Sequence, residues 1–405
     1  GMRTIGVVTV GRSDYGIYLP LLKRLQADPE VRLHLIVAGM HLSSEFGLTA
    51  ATIEADGFEI GQRVEMLVSS DTPEGISKSM GLGTIGFSQA YASFPLDLLV
   101  VLGDRFEMHA AVVAALPFLI PVAHISGGEL TRGAMDDALR HSITKLSHLH
   151  FVSTQEYARR VQQLGEEPWR IIISGALGLD NLPLTQLLTP VELEHRYQFQ
   201  LQPAPLLVTF HPVTLEIAHI GHQLEALLGA LGGYPDPIVF SAPNADTRGR
   251  VVSEMMESFV QTRDTAYMVG DLGTQAYFSV MSSAVAMVGN SSSGITEAAP
   301  FDLPVVNIGT RQEGRVRTAN IIDVGYPAEE ILIGIRQAVS MEFRAEVSNI
   351  SSPYGDGHAV DRIIPVLKEM ELNDHLLIKR FVDCAIRHEV PPIFAAEQCS
   401  SLASA

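Results

Sequence analysis

Short, mainly apolar strand-like runs alternate with helical patterns along the chain, and that alternation leaves few folds open. In the first half the runs are Thr4–Val10, Leu33–Ala38, Leu98–Leu102, Val122–Ile125, His150–Val152 and Ile171–Ser174. The pattern restarts at Leu206–Phe210 and continues through Ile238–Ser241, Ala266–Met268, Ala284–Val288 and Val305–Ile308. Strands apolar on both faces belong to parallel sheets covered by helices on either side. At 405 residues the chain exceeds one ordinary core. The fold class is therefore α/β, with two doubly wound Rossmann-like domains and a cleft between them. Pro183 and Pro190 punctuate the stretch Leu179–Pro190, so the seam is expected there. The first domain is read as 1–182 and the second as 190–372, with a helical segment over 373–390 as a candidate to rejoin the first.

A net charge of -18 argues against nucleic-acid and anionic-membrane partners, though a few focused arginines can still attract a small anion. The two cysteines, Cys384 and Cys399, provide neither a disulfide framework nor metal-ligand spacing. The chain enters a strand at Thr4, which leaves no room for a signal peptide, and prolines interrupt the apolar run Ala110–Ala123. A cytoplasmic protein with no metal site is expected.

The charges that remain are concentrated. Gly103-Asp104-Arg105-Phe106-Glu107 follows one strand, and His124-Ile125-Ser126-Gly127-Gly128-Glu129 grows out of the next. Open α/β sheets build their sites at such strand ends. A helix over Ala134–Leu146 then pairs Asp136 with Arg140 and Asp137 with His141, each four residues apart. Two surface ion pairs would explain that spacing, at roughly 0.3–0.5 kcal/mol each. Following a glycine-rich turn that carries another acid, a carboxylate held toward a substrate carbon is the preferred reading. Gly81-Leu82-Gly83-Thr84-Ile85-Gly86 matches a dinucleotide fingerprint as text, but no strand precedes it, so no nicotinamide cofactor is expected.

Other turns suit an anion. Gly11–Gly16, with Arg12, opens a helix directly after the first strand. In the second half His211, Asn244 and the run Ser291, Ser292, Ser293 each follow a strand, and Asn307–Arg315 adds Arg311 and Arg315. A serine-rich turn before a helix can cradle phosphate, whereas Glu297, one turn further on, suits a ribose diol. Facing one cleft, these turns would make a nucleoside-diphosphate site.

The order of motifs resembles the hydrolysing UDP-N-acetylglucosamine 2-epimerase family, including its sialic-acid-type and legionaminic-acid-type bacterial members. The match runs through Gly103–Phe106, Gly127–Glu129, Asp136–Asp137, Arg140–Leu146, His211–Pro212, Gly289–Ser292, Asn307–Gln312 and Tyr354–Gly357, spanning residues 4–370. The resemblance implies a GT-B-like fold with UDP bound mainly by the second domain, no cofactor, and a homodimer. It also implies conversion of a UDP-N-acetylhexosamine and water to the free 2-epimer and UDP by elimination and hydration. Carried over residue by residue, Asp104, Asp136 and Asp137 are catalytic. Arg105 and His41 contact substrate, with His124, Ser126, Arg140 and His141 on the sugar side. Arg12, His211, Asn244, Ser291, Ser292, Ser293, Glu297 and Arg311 fall on the UDP side. Ser126 stands where sialic-acid-type members commonly carry Glu, and Ile17 where they often carry Lys. Glu129 or Asp137 would then replace the missing acid, and UDP-N,N'-diacetylbacillosamine becomes an alternative substrate. A GT-B glycosyltransferase and a non-catalytic UDP-sugar sensor are the other readings.

Overall fold

The computed structural model describes residues 1–44, 49–69, 72–133, 135–242, 247–270 and 272–390. Its first sheet holds β1 (Arg3–Thr9), β2 (Val31–Ala38), β3 (Ile60–Val64), β4 (Leu98–Leu102), β5 (Val122–Ile125), β6 (Leu149–Val152) and β7 (Ile171–Ile173), in the order β3-β2-β1-β4-β5-β6-β7. The second holds β8 (Leu206–Thr209), β9 (Ile238–Ser241), β10 (Ala266–Val269), β11 (Ala286–Gly289), β12 (Val305–Ile308) and β13 (Ile321–Val324), in the order β10-β9-β8-β11-β12-β13. Every pairing is parallel. Strand order reverses between β1 and β4 and between β8 and β11, which opens a crevice at the carboxyl end of each sheet. The two doubly wound α/β units expected from the apolar runs are present.

Two strands do not announce themselves as apolar runs. β3 and β13 are edge strands of alternating or partial burial, and they carry Gln62, Arg63 and Asp323. A strand paired on one side only needs no continuous apolar stretch. Among the described residues, no helix is long and apolar enough to cross a membrane.

The chain returns to the first domain earlier than the expected boundary at 372. The helix Ala359–Glu369 buries Ala359, Val360, Ile363, Ile364 and Leu367 in the first sheet's core. Asp180 caps it, its carboxylate accepting the N–H groups of Ala359 and Val360, each at 2.8 Å. The helix anticipated over 373–390 is corrected too: only Asp374–Leu377 is helical. Beyond Leu377 the chain runs as a strap, and the carbonyls around its start accept from a side chain instead of from a helical ladder. The buried Arg170 guanidinium donates to the carbonyls of Leu376 (2.6 Å), His375 (3.0 Å) and Ile378 (3.3 Å).

Lys379 completes the attachment, binding the carbonyls of Lys145 and Ser147 and the Glu166 carboxylate, each at 2.6 Å. Glu166 also receives His150 and Lys145. Burial raises its pKa, but the bonds from His150, Lys145 and Lys379 outweigh that and hold it down to about 2, against an ordinary 4.5. A depressed carboxyl stabilises the fold above its unfolded pKa and loses that contribution as pH falls through the folded value. Urea midpoints should therefore drop between about pH 4.5 and 2, and Glu166→Gln should flatten that segment of the profile.

Candidate active site

The first-domain half of the site starts where β4 ends. Gly103 turns the chain with φ at +81°, and His124 on the neighbouring strand fixes that turn. His124 Nε2 meets the Gly103 carbonyl at 2.8 Å and Nδ1 meets the Thr144 hydroxyl at 3.0 Å. Burial pushes its pKa down to about 3, so the ring is neutral at pH 7. Fully buried, with both ring nitrogens engaged by protein groups, His124 supports the turn.

His41 is held in the same way. It is fully buried, and its ring nitrogens meet Thr9 Oγ1 at 2.9 Å and Thr49 Oγ1 at 2.6 Å. Thr9 donates in turn to Asp14 at 2.5 Å. Asp14 also accepts the N–H groups of Val10 and Gly11, so it shapes the turn that precedes Arg12. Burial raises Asp14 to about 7 despite those bonds and the nearby Arg105. Arg12 itself is exposed at the start of the first helix.

Arg140 organises the acidic cluster. Its guanidinium donates to the Ser126 carbonyl (2.6 Å), Asp104 Oδ2 (2.8 Å) and Thr131 Oγ1 (3.2 Å), and lies 3.6 Å from Glu129. Ser126 adopts φ of +71°, a left-handed conformation that presents its carbonyl to Arg140. Its contribution to the cluster is thus made through the main chain. Glu129 is buried and bonded to Arg315 Nη1 at 3.0 Å. Asp137 accepts the Thr131 N–H at 2.7 Å.

The helix Asp136–Leu146 places Asp136 at its first turn, half-buried and with no hydrogen-bond or ion-pair partner among the described residues. Burial and the Asp104 charge raise its pKa, while Arg140, Arg311 and Arg105 pull the other way without prevailing. Asp104 shows the opposite balance: burial raises it, but Arg140, Arg315 and Arg105 together hold it below the ordinary value. Neighbouring carboxyls whose pKa values are driven apart are suited to different tasks. Further along the helix, His141 keeps a buried Nδ1 with no partner among the described residues, and burial lowers its pKa.

Arg105 is partly exposed, its Nε held by Glu107 Oε2 at 3.0 Å. Glu107 is fully buried, with its second oxygen unpartnered among the described residues. Neither Glu107 nor Asp14 is among the site residues expected from sequence. A signal for them exists, since both sit inside the glycine-containing motifs that end β1 and β4.

The second-domain half forms at the switch between β8 and β11. Gly289 allows the strands to converge: a Cβ there would lie 1.7 Å from the Thr209 carbonyl oxygen. The Asn290 side chain then bridges the two strand ends, binding the His211 N–H at 2.7 Å and its carbonyl at 2.8 Å. Burial, with Arg311 nearby, pushes His211 down to about 3. Ser291 and Ser293 share a hydroxyl contact at 2.9 Å, Tyr277 reaches Ser293 at 2.6 Å, and Ser292 is exposed. Burial raises Glu297 to about 7. Its Oε1 faces Gly178 of the short turn Leu177–Asp180, where an added Cβ would approach it to 3.3 Å. Asn244 lies outside the described residues.

The two halves meet. Arg311 and Gln312 donate to the Asn290 carbonyl at 2.9 and 3.0 Å, while Arg311 also feels the charges of Asp104 and Asp136. Burial and Arg315 lower Arg311 to about 10, so it remains a cation at neutral pH. Cations from the second sheet thus face carboxylates from the first.

Comparison with known proteins gives the family and the fold. A family model described as UDP-N-acetylglucosamine 2-epimerase matches residues 23–368. A Campylobacter jejuni protein named GDP/UDP-N,N'-diacetylbacillosamine 2-epimerase (hydrolyzing) is 38% identical over 384 residues, 94% of this chain and 99% of that one. A Legionella pneumophila UDP-N,N'-diacetylbacillosamine 2-epimerase (hydrolyzing) is 35% identical over 378 residues, covering 93% and 99%. In fold, the chain is similar to the crystal structure of Neisseria meningitidis UDP-GlcNAc 2-epimerase, with a TM-score of 0.77 at 18% identity over 90% of this chain and 99% of that one.

Proposed function

Since the chain belongs to the UDP-N-acetylglucosamine 2-epimerase family, we propose that it is a hydrolysing UDP-sugar 2-epimerase acting on UDP-N,N'-diacetylbacillosamine. The observation that carries the chemistry is Asp136, without a hydrogen-bond or ion-pair partner among the described residues, raised in pKa beside a depressed Asp104 and within the field of Arg311. The names of the Campylobacter and Legionella relatives support the choice of sugar.

A C2 proton of a pyranose is not acidic until the C1–O bond begins to break. UDP therefore departs from C1 as the proton leaves C2, which makes a 2-acetamidoglycal. Asp104, ionised, stabilises the cation-like ring, and Asp136 takes the proton. Arg311 and the serine turn hold the departing diphosphate, with His211 beside them and Glu297 toward the ribose. Water then adds at C1 and a proton returns to the opposite face of C2. The balance is UDP-sugar plus water to the free 2-epimer plus UDP. Glu129, bonded to Arg315 and 3.6 Å from Arg140, and Asp137, bonded to the Thr131 N–H, orient the loop around this pair.

The deciding experiment is NMR in D₂O with UDP-N,N'-diacetylbacillosamine and, separately, UDP-GlcNAc. We expect a free 2-epimerised sugar carrying deuterium at C2, formed faster from the first. Faster turnover of UDP-GlcNAc would reassign the substrate. Transfer of the sugar to an acceptor would make the protein a glycosyltransferase, and binding without turnover would make it a sensor. We place the enzyme in the cytoplasm as a homodimer; Leu116, Phe118 and Leu119, exposed on one turn, offer an apolar contact for a second copy.

A further inference from the structure

The segment after β12 makes contacts in two directions. Toward the second domain, Arg311 and Gln312 bind the Asn290 carbonyl, and Asn290 ties together the ends of β8 and β11. Toward the first domain, Arg315 donates from all three nitrogens. Nε reaches the Leu130 carbonyl at 2.6 Å, Nη1 reaches Glu129 Oε1 at 3.0 Å, and Nη2 reaches Thr131 Oγ1 at 2.9 Å. Its side chain is only 9% exposed, so these bonds lie in a low-dielectric setting where they count for more than on the surface.

The loop that Arg315 grips is the one that presents the carboxylates. Thr131 Oγ1 also receives Arg140, which holds Asp104, and the Thr131 N–H is bound by Asp137 beside Asp136. A continuous run of bonds therefore leads from Asn290 through the 311–315 segment to Thr131, Arg140 and Asp104. The next residue repeats the link: the Val316 N–H donates to Tyr157, and its carbonyl accepts from Tyr354. We infer that Arg315 is a positioning residue, through which occupation of the second domain by a uridine diphosphate fixes the first-domain loop that holds Asp104 and Asp136 in place.

The inference rests on the UDP-sugar reading of the site, so one arm of the test avoids turnover. Hydrogen exchange of residues 127–133 is measured with and without UDP, in wild type, Arg315→Gln and Arg315→Lys. UDP should slow exchange in wild type. In Arg315→Gln that protection should vanish, with the dissociation constant for UDP changed less than about 3-fold, and Arg315→Lys should recover part of it. In the second arm, kcat of Arg315→Gln should fall about 10- to 100-fold with KM little changed, and released glycal should appear beside the product. Protection that persists in Arg315→Gln, or a kcat loss matched by an equal loss of UDP affinity, overturns the inference. Should Arg315→Gln fail to fold, Arg315→Lys carries the same test, because a charge without the planar fork cannot make all three bonds. A wild type that shows UDP-induced protection but converts neither sugar defeats the functional reading while leaving the coupling intact.

Discussion

Asp136→Asn should lower kcat by about 10²–10⁴-fold while leaving UDP affinity within a few-fold of wild type. The split follows from geometry. Among the described residues Asp136 makes no bond to the loop or to Asn290 and its neighbours, so its removal should disturb neither fold nor nucleotide site. A pH profile sharpens the test. A general base must be ionised to act, and burial with the Asp104 charge raises this carboxyl above its ordinary 3.8. Wild-type kcat should thus fall on the acid side through a pKa above that value. Asp104 cannot supply that limb, because its three arginines hold it below the ordinary range. In Asp136→Asn the residual rate should lose the limb. Stopped-flow or coupled UDP-release assays across pH would show it; a variant that keeps wild-type kcat removes Asp136 from the chemistry.

Much of this architecture is legible in the chain, for a physical reason. Interior strands such as Leu98–Leu102 are buried on both faces, so they must be apolar throughout, and the turns after them carry what the cleft needs. The edge strands β3 and β13 escape because one open side relaxes that demand. Candidate site residues can be picked out by motif, but a motif does not say which way a side chain points. His41 and His124 look like ligand contacts in sequence, yet both lie fully buried as props, each with its two nitrogens engaged. Glu129 looks in sequence like an acid free to act, whereas the structure bonds it to Arg315, 186 residues away. Pairings of that range have no local pattern. The strap after Leu377 is hidden for a related cause: its path is set by Arg170 and by Lys379, whose partners lie more than 200 residues away.

Arg140→Met should be the most damaging change to the fold around the site. The guanidinium is 5% exposed and stands between Asp104 and Glu129. Deleting it takes the ion-pair partner from part-buried Asp104, leaves buried Glu129 to Arg315 alone, and strips the Ser126 carbonyl of its 2.6 Å donor. Breaking one partner out of a buried ion network costs about 3–5 kcal/mol, a large share of the roughly 5–15 kcal/mol that holds a typical domain together. The urea midpoint should fall accordingly, and turnover should vanish with it. Arg140→Lys should not rescue either, since a point charge cannot serve Ser126, Asp104 and Thr131 together. Stability and activity can then be separated. Adding Asp104→Asn and Glu129→Gln to Arg140→Met removes the stranded charges, so much of the lost stability should return. Activity should not, because the network's value lies in where it holds the Asp104 carboxylate. A triple variant as unstable as Arg140→Met alone would mean that the guanidinium supports the fold through its bonds to Ser126 and Thr131, and not by neutralising the acids.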